Sequence, residues 1–327
     1  MPVRDLGAAR LLVGSVHPPS ALEPAEGLSA HARVALKRED RGPNGSFKWR
    51  GALCAISDFV HGGAEAVVTA STGNHGAATA WAAARFGIVA HVVVPAAAND
   101  LKCRLIEANG ATLHRRGADL SAADGYARRL AEDLGAPYFE DGASPSQLLG
   151  TATIGWEIAT AAPDVVIAPL AVGALAGGIG QGLAAAGSDA ELYGVQAESH
   201  DAIARRLQGR PPQAAPGRTF ADGLADDRIL DPAFGACREH LSGIAVVGEA
   251  ELERGVRHLY EACGVVAEGA GAAALAGMSS LGIGERAGSL VVLVISGRNL
   301  DPEDARRLLP GAPEGAAAPV AGRLSSR

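Results

Sequence analysis

The chain has 327 residues, of which 48% are hydrophobic but only 4% aromatic, and its 43 glycines push the packing toward small side chains and close backbone approach. A net charge of -7 and a pI near 5.7 give no basic footprint for nucleic acid. No apolar run approaches the roughly 18 residues of a membrane span, so neither nucleic acid nor membrane is an expected partner, and the length fits a soluble protein of two lobes.

In chain order, the first 20 residues, MPVRDLGAARLLVGSVHPPS, hold no uninterrupted apolar run of the signal-peptide kind, and a cytoplasmic location is expected. Cys54, Cys103, Cys237 and Cys263 are far apart and form no CxxC pair, which fits reduced thiols better than disulfides or zinc. Short β-branched runs then alternate with helical patterns: EAVVTA (65–70), AHVVVP (90–95), DVVIAPL (164–170), ELYGVQA (191–197) and SLVVLVI (289–295). Such continuous apolar strands predict parallel sheets covered on both faces, an α/β fold.

Helix ends are marked between the strands. Asn99 or Asp100 is placed to cap a helix carrying Leu101, Leu105 and Ile106 that Gly110 ends. Ser121 is placed to cap a second, with Ala122, Tyr126, Leu130 and Leu134, that Gly135 ends. Residues 249–263 set Leu252, Val256, Leu259 and Cys263 on one side, with Gly264 beyond. From residue 311 the chain is Pro/Gly/Ala-rich and without periodicity, and a loose tail is expected over 311–327.

In open α/β sheets ligands sit at the carboxyl ends of strands. Three such junctions are polar or glycine-rich: ASTGNHGAA after residue 70, AVGALAGGIG after residue 170 and SGRNLDPED after residue 295. A fourth loop, GPNGSFKWRGA (42–52), carries Lys48. Among 29 basic residues only Lys37, Lys48 and Lys102 are lysines. Guanidinium stays protonated, whereas a lysine amine can be tuned by burial and form a Schiff base, so a retained lysine is a candidate for chemistry; the plainer alternative is three residual surface charges.

A lysine that holds a carbonyl cofactor points to pyridoxal 5'-phosphate, which needs an anion cradle. The free N–H groups of the helix opened by AVGALAGG supply one, although tight packing would call for the same small residues. STGNHG (71–76) suits a carboxylate and SGRNLD (296–301) offers a hydroxyl, and ordinary capping accounts equally well for each taken alone.

Together and in this order, LKRED (36–40), GSFKWRGA (45–52), STGNHG, the loop at 171–178, EGAGAAALAG (268–277) and SGRNLD resemble the fold-type II, tryptophan synthase beta-like, pyridoxal-phosphate enzymes. Within that family they look most like the threonine/serine dehydratase and serine racemase branch. The resemblance implies a three-layer α/β fold of two lobes with mostly parallel sheets. Residues 1–53 and 149–310 form the large cofactor-binding lobe, and 54–148 the small mobile lobe inserted in it. It implies Lys48 as the Schiff-base lysine, with Phe47 and Asn74 at the cofactor, Ala171, Val172, Gly173 and Ala174 around its phosphate, and Ser296 facing its pyridine nitrogen. Ser46, Ser71, Thr72, Gly73, Asn74 and His75 would meet the small amino-acid substrate, and a homodimer is expected.

The activity so implied is β-elimination from a small β-substituted amino acid, L-threonine- or L-serine-like, giving a 2-oxo acid and ammonia. The alternatives are β-replacement as in threonine or cysteine synthase, racemisation, or an amino-acid sensor without turnover. Thr72 resembles the STGN of threonine synthases, and Ala171–Ala174 replaces a run of glycines in a loop of the AGVGxxAGG type found in diaminopropionate ammonia-lyases, whose leaving group differs. In the family's cation site Glu198 and Ala202 match but Ala204 stands where an acid belongs. No metal is therefore expected, though Asp201 is placed to compensate. Arg298 would meet an acidic substrate end or reach solvent.

Overall fold

The alternation of apolar strands and helices builds two separate sheets in the computed structural model, which describes residues 2–98, 100–213 and 217–312 apart from the side chain of Leu101. The described residues hold nine strands: β1 (Leu22–Pro24), β2 (Arg33–Arg38), β3 (Ala66–Ala70), β4 (Val89–Val94), β5 (Thr112–Arg115), β6 (Val165–Pro169), β7 (Glu191–Ala197), β8 (Gly243–Val247) and β9 (Leu290–Ile295). Six of them form one sheet in the order β1-β2-β9-β6-β7-β8, parallel except for the short edge strand β1. The other sheet is the parallel trio β3-β4-β5.

The helices that cover these sheets are α1 (Leu6–Gly14), α2 (Lys48–His61), α3 (Asn74–Phe86), α4 (Asp100–Ala108), α5 (Leu120–Leu134), α6 (Pro145–Ala159) and α7 (Ala174–Ala185). The chain continues through α8 (Ala202–Leu207), α9 (Ala233–His240), α10 (Glu249–Cys263), α11 (Gly269–Ser280) and α12 (Pro302–Leu308). No helix among the described residues is long and apolar enough to cross a membrane.

The period-two alternation of a strand splits the core in two. Val165, Ile167, Val291 and Leu293 point to one face of the large sheet, against α10 and α11. Val166, Ala168, Val292 and Val294 point to the other, against Ile154 and Ile158 of α6 and Ile179 and Leu183 of α7. α6 and α7 lie so close that a Cβ on Gly182 would stand 2.0 Å from the Ala152 carbonyl oxygen, and one on Gly155 2.1 Å from that of Ile179. The small residues after β6 therefore serve helix packing as well as any anion.

The expected strands appear as β3, β4, β6, β7 and β9, each within a residue of its predicted ends. β2 escaped notice because its apolar run is closed by Lys37 and Arg38, which are buried in the strand through ion pairs to Glu157, Glu23 and Asp40. One cap needs correction. The α5 cap is Asp119, whose carboxylate accepts from the Ala122 N–H at 2.8 Å, and Ser121 lies inside the first turn. Gly135 and Gly264 do end α5 and α10 in the left-handed conformation, at φ +58 and +64. Asn99 and the tail from residue 313 lie outside the described residues, and Asp100 opens α4. Residues 53 and 148, where the lobes were expected to join, fall inside α2 and α6, which pack against each other.

Candidate active site

The four loops meet in one cavity at the carboxyl ends of β3, β6 and β9. Its lining includes Phe47, Lys48, all of 71–75, all of 171–174, and Ser296. Ser46 and Arg298 do not line it. Ser46 is buried and bridges Gly297 in antiparallel fashion, while the Phe47 N–H donates to the Ser296 carbonyl at 2.9 Å. The lysine loop is thus stitched to the loop after β9.

Lys48 is the first residue of α2, and the helix start is held two residues further on. The Arg50 side chain has no exposed surface and donates to both Glu39 oxygens at 2.9 Å, to Glu157 at 2.6 and 3.0 Å and to Thr153 at 2.8 Å. A fork gripped on both sides fixes the backbone from which Lys48 projects.

The Lys48 ammonium meets the Asp141 carboxylate, both nearly enclosed at 15% and 12% side-chain exposure. The other Asp141 oxygen accepts from Gln147 Nε2 at 2.6 Å, and His75 Nδ1 stands 3.7 Å from it. Burial alone would raise the Asp141 pKa, but the charges of Lys48 and His75 and the bonds from Lys48 and Gln147 hold the group well below the usual carboxylate range. Burial pushes the His75 imidazole the other way, below its ordinary value, against the pull of Asp141.

Opposite, Asn74 opens α3 with its amide held at both ends. Its Nδ2 donates to Glu268 at 2.7 Å and its Oδ1 accepts from Asn299 Nδ2 at 2.7 Å. Glu268 is buried, and burial together with the Asp222 charge raises its pKa to about 8 against Lys102, Asn74 and Lys48. Its carboxyl is thus held toward the neutral form. Lys102 of α4 pairs with Asp222 across the cavity mouth.

At the third corner α7 is preceded by Gly173 at the cap position, with φ +98 and no side-chain cap. A Cβ there would stand 2.9 Å from Cys237 Sγ, so the position takes glycine on both grounds. The Gly173, Ala174 and Leu175 N–H groups have no described hydrogen-bond acceptor, as expected of a bare helix N-terminus. Ser296 is buried with its hydroxyl unpartnered among the described residues, and the buried Asn299 Oδ1 also has no partner.

The sequence reading missed Asp141, Glu268, Asn299 and the Lys102–Asp222 pair. SGRNLD and EGAGAAALAG did contain Asn299 and Glu268, but nothing in YFEDG marks Asp141 as the partner of a lysine 93 residues away. Asp201, placed to compensate in a cation site, instead bonds Arg205 at 2.6 Å and Gln213 at 2.7 Å. All four cysteines are free thiols.

An enclosed amine, uncapped N–H donors and an unpartnered buried hydroxyl in one cavity suit a phosphorylated aldehyde. The family model described as "Pyridoxal-phosphate dependent enzyme" matches residues 15–297. The chain belongs to this family. It is 33% identical over 82% of its length, and 67% of the relative's, to an L-threonine ammonia-lyase of Thermotoga maritima. It is 33% identical to the L-threonine dehydratase biosynthetic IlvA of Burkholderia multivorans, where the match covers 86% of this chain but only 57% of the relative. A solved threonine deaminase, from the organism abbreviated T.th., superposes with a TM-score of 0.83 at 30% identity, covering 92% of this chain and 99% of that one.

Proposed function

We propose that this family member is an ammonia-lyase acting on a small β-substituted amino acid of the L-threonine or L-serine kind, with loss of the β-substituent and release of a 2-oxo acid and ammonia. The observation that carries the reading is Lys48. Its amine shares an enclosed cavity with the uncapped α7 N-terminus and the 71–75 loop. The relatives named for threonine support the substrate class.

Pyridoxal 5'-phosphate, when bound, supplies an electron sink for the substrate's α-carbon. Lys48 would hold it through its amine, the N–H groups at Gly173, Ala174 and Leu175 would hold its phosphate, and Asn74 and Ser296 would orient its ring. Ser71, Thr72, Gly73 and His75 bind the substrate carboxylate at the N-terminus of α3, where the helix dipole favours an anion. Lys48 then takes the α-proton as a neutral amine, and Asp141 stands ready to pair with the ammonium that forms. Residues 54–148 act as the small lobe whose closure excludes water, the Lys102–Asp222 pair bridging the mouth. A homodimer in the cytoplasm completes the proposal, in keeping with free thiols and the frequency of two-fold assemblies.

Purified protein should take up the cofactor with visible absorption that Lys48→Ala abolishes. Amino acids with β-hydroxyl, β-amino and β-acyloxy groups are then screened for 2-oxo acid and ammonia, with and without an added thiol. A colourless wild type that binds no cofactor, or release from no substrate, would overturn the proposal.

A further inference from the structure

The Asp141 carboxylate is a fixed negative charge inside the cavity, and its one close cation is the group that must give up its charge. To act as a base Lys48 has to be a neutral amine when substrate is bound, and Asp141, though still bonded by Gln147 Nε2, then faces the substrate without a neighbouring ammonium. The other cations around the cavity are committed elsewhere. Lys102 pairs with Asp222, and Arg228 with Asp226 at 2.6 Å and Glu140 at 3.0 Å. His75, 3.7 Å away, is held toward its neutral form by burial, and burial holds the Glu268 carboxyl toward its neutral form as well. A buried carboxylate stripped of its partner favours any ligand that restores a cation, and opposes negative charge developing on a departing hydroxyl.

We infer that Asp141 is a specificity-determining residue that recognises a cationic group on the substrate's β-carbon, so that the cavity prefers a 2,3-diamino acid to a β-hydroxy amino acid. This rests on the reaction proposed above and fixes its leaving group. Lys48 takes the α-proton, and the electrons of that C–H bond become the Cα=Cβ bond. The Cβ–N bond breaks with its pair on nitrogen, and the β-ammonium departs as neutral ammonia without needing an acid. Water then displaces the α-nitrogen, so one 2-oxo acid and two ammonia molecules appear per substrate and one water is consumed.

Two measurements test it. With cofactor-loaded enzyme, L-2,3-diaminopropanoate should give ammonia and 2-oxo acid in a 2:1 ratio with kcat/KM at least tenfold above L-serine. Asp141→Asn should bring the two substrates to near parity, mainly through KM. Without turnover, calorimetry on Lys48→Ala should show L-2,3-diaminopropanoate binding roughly tenfold or more tighter than L-serine, a preference that Lys48→Ala/Asp141→Asn erases. Equal affinities in that variant, or a wild-type preference unchanged by Asp141→Asn, would overturn the inference. Turnover of L-serine or L-threonine with no binding preference sinks this inference and leaves the proposed reaction. A binding preference without 2-oxo acid from any substrate upholds the role of Asp141 in recognition and sinks the reaction.

Discussion

Replacing Arg50 by methionine removes the cation that buried Glu39 and the largely enclosed Glu157 share at the root of the Lys48 helix. Arg50 makes five hydrogen bonds to Glu39, Glu157 and Thr153, and its removal leaves Glu39 with the Ser20 hydroxyl at 2.5 Å and Glu157 with Lys37 at 2.5 Å. Taking away one partner of a buried pair costs about 3–5 kcal/mol, because the other charge stays buried. That is a large share of the roughly 5–15 kcal/mol that holds a typical protein folded. Urea unfolding followed by circular dichroism reads the loss directly, and Arg50→Lys should recover only part of it, since an ammonium cannot copy the two-sided fork. The acid limb offers an independent check. Burial alone would raise the Glu157 pKa, but Arg50 and Lys37 hold it below its ordinary 4.5, so the stabilisation it gives is present above that value and fades as pH falls through the lower folded value. Arg50→Met should therefore lose less of its remaining stability on acidification than wild type does. A loss under about 1 kcal/mol, or identical curves for the methionine and lysine variants, would refute the view that this network fixes α2.

Glu268→Gln should change how stability depends on pH. Because burial raises the folded-state value to about 8, the folded chain keeps a proton that the unfolded chain releases above its ordinary 4.5, so wild type loses stability as pH rises between them. At about 1.4 kcal/mol per unit this amounts to roughly 2–3 kcal/mol between pH 5 and 7, which urea midpoints at the two pH values should show in wild type and not in Glu268→Gln. Gly173→Ala puts a Cβ at φ +98 and 2.9 Å from Cys237 Sγ, and cofactor affinity measured by absorbance titration should fall at least about tenfold. An unchanged affinity would remove the α7 N-terminus from the phosphate site.

Strands buried on both faces were legible because parallel strands carry uninterrupted apolar runs, as in VVIAP and LVVLVI. β2 was hidden for the converse reason, since Lys37 and Arg38 read as surface residues until their acidic partners, from distant segments and from Asp40 beside them, are brought alongside. Asp119 and Ser121 are both good caps two residues apart, and backbone geometry rather than residue type chose between them.

The site was legible to the extent that its chemistry is local. Scarcity narrowed the candidates to three lysines, and the loop around Lys48, set in order with the other loops, singled it out. The two acids were not legible, because what makes them informative is their surroundings. Asp141 and Glu268 line one cavity and are driven in opposite directions, the first toward its ionised form by a neighbouring ammonium and the second toward its neutral form by burial beside Asp222. Such divergence assigns roles that residue identity cannot. On the Asn74 side a carboxyl held toward its neutral form accepts a hydrogen bond from the amide while bringing less charge to that wall of the cavity. On the Lys48 side a permanent anion awaits whichever cation appears next, the ammonium formed when the lysine takes a proton or one that the substrate carries in.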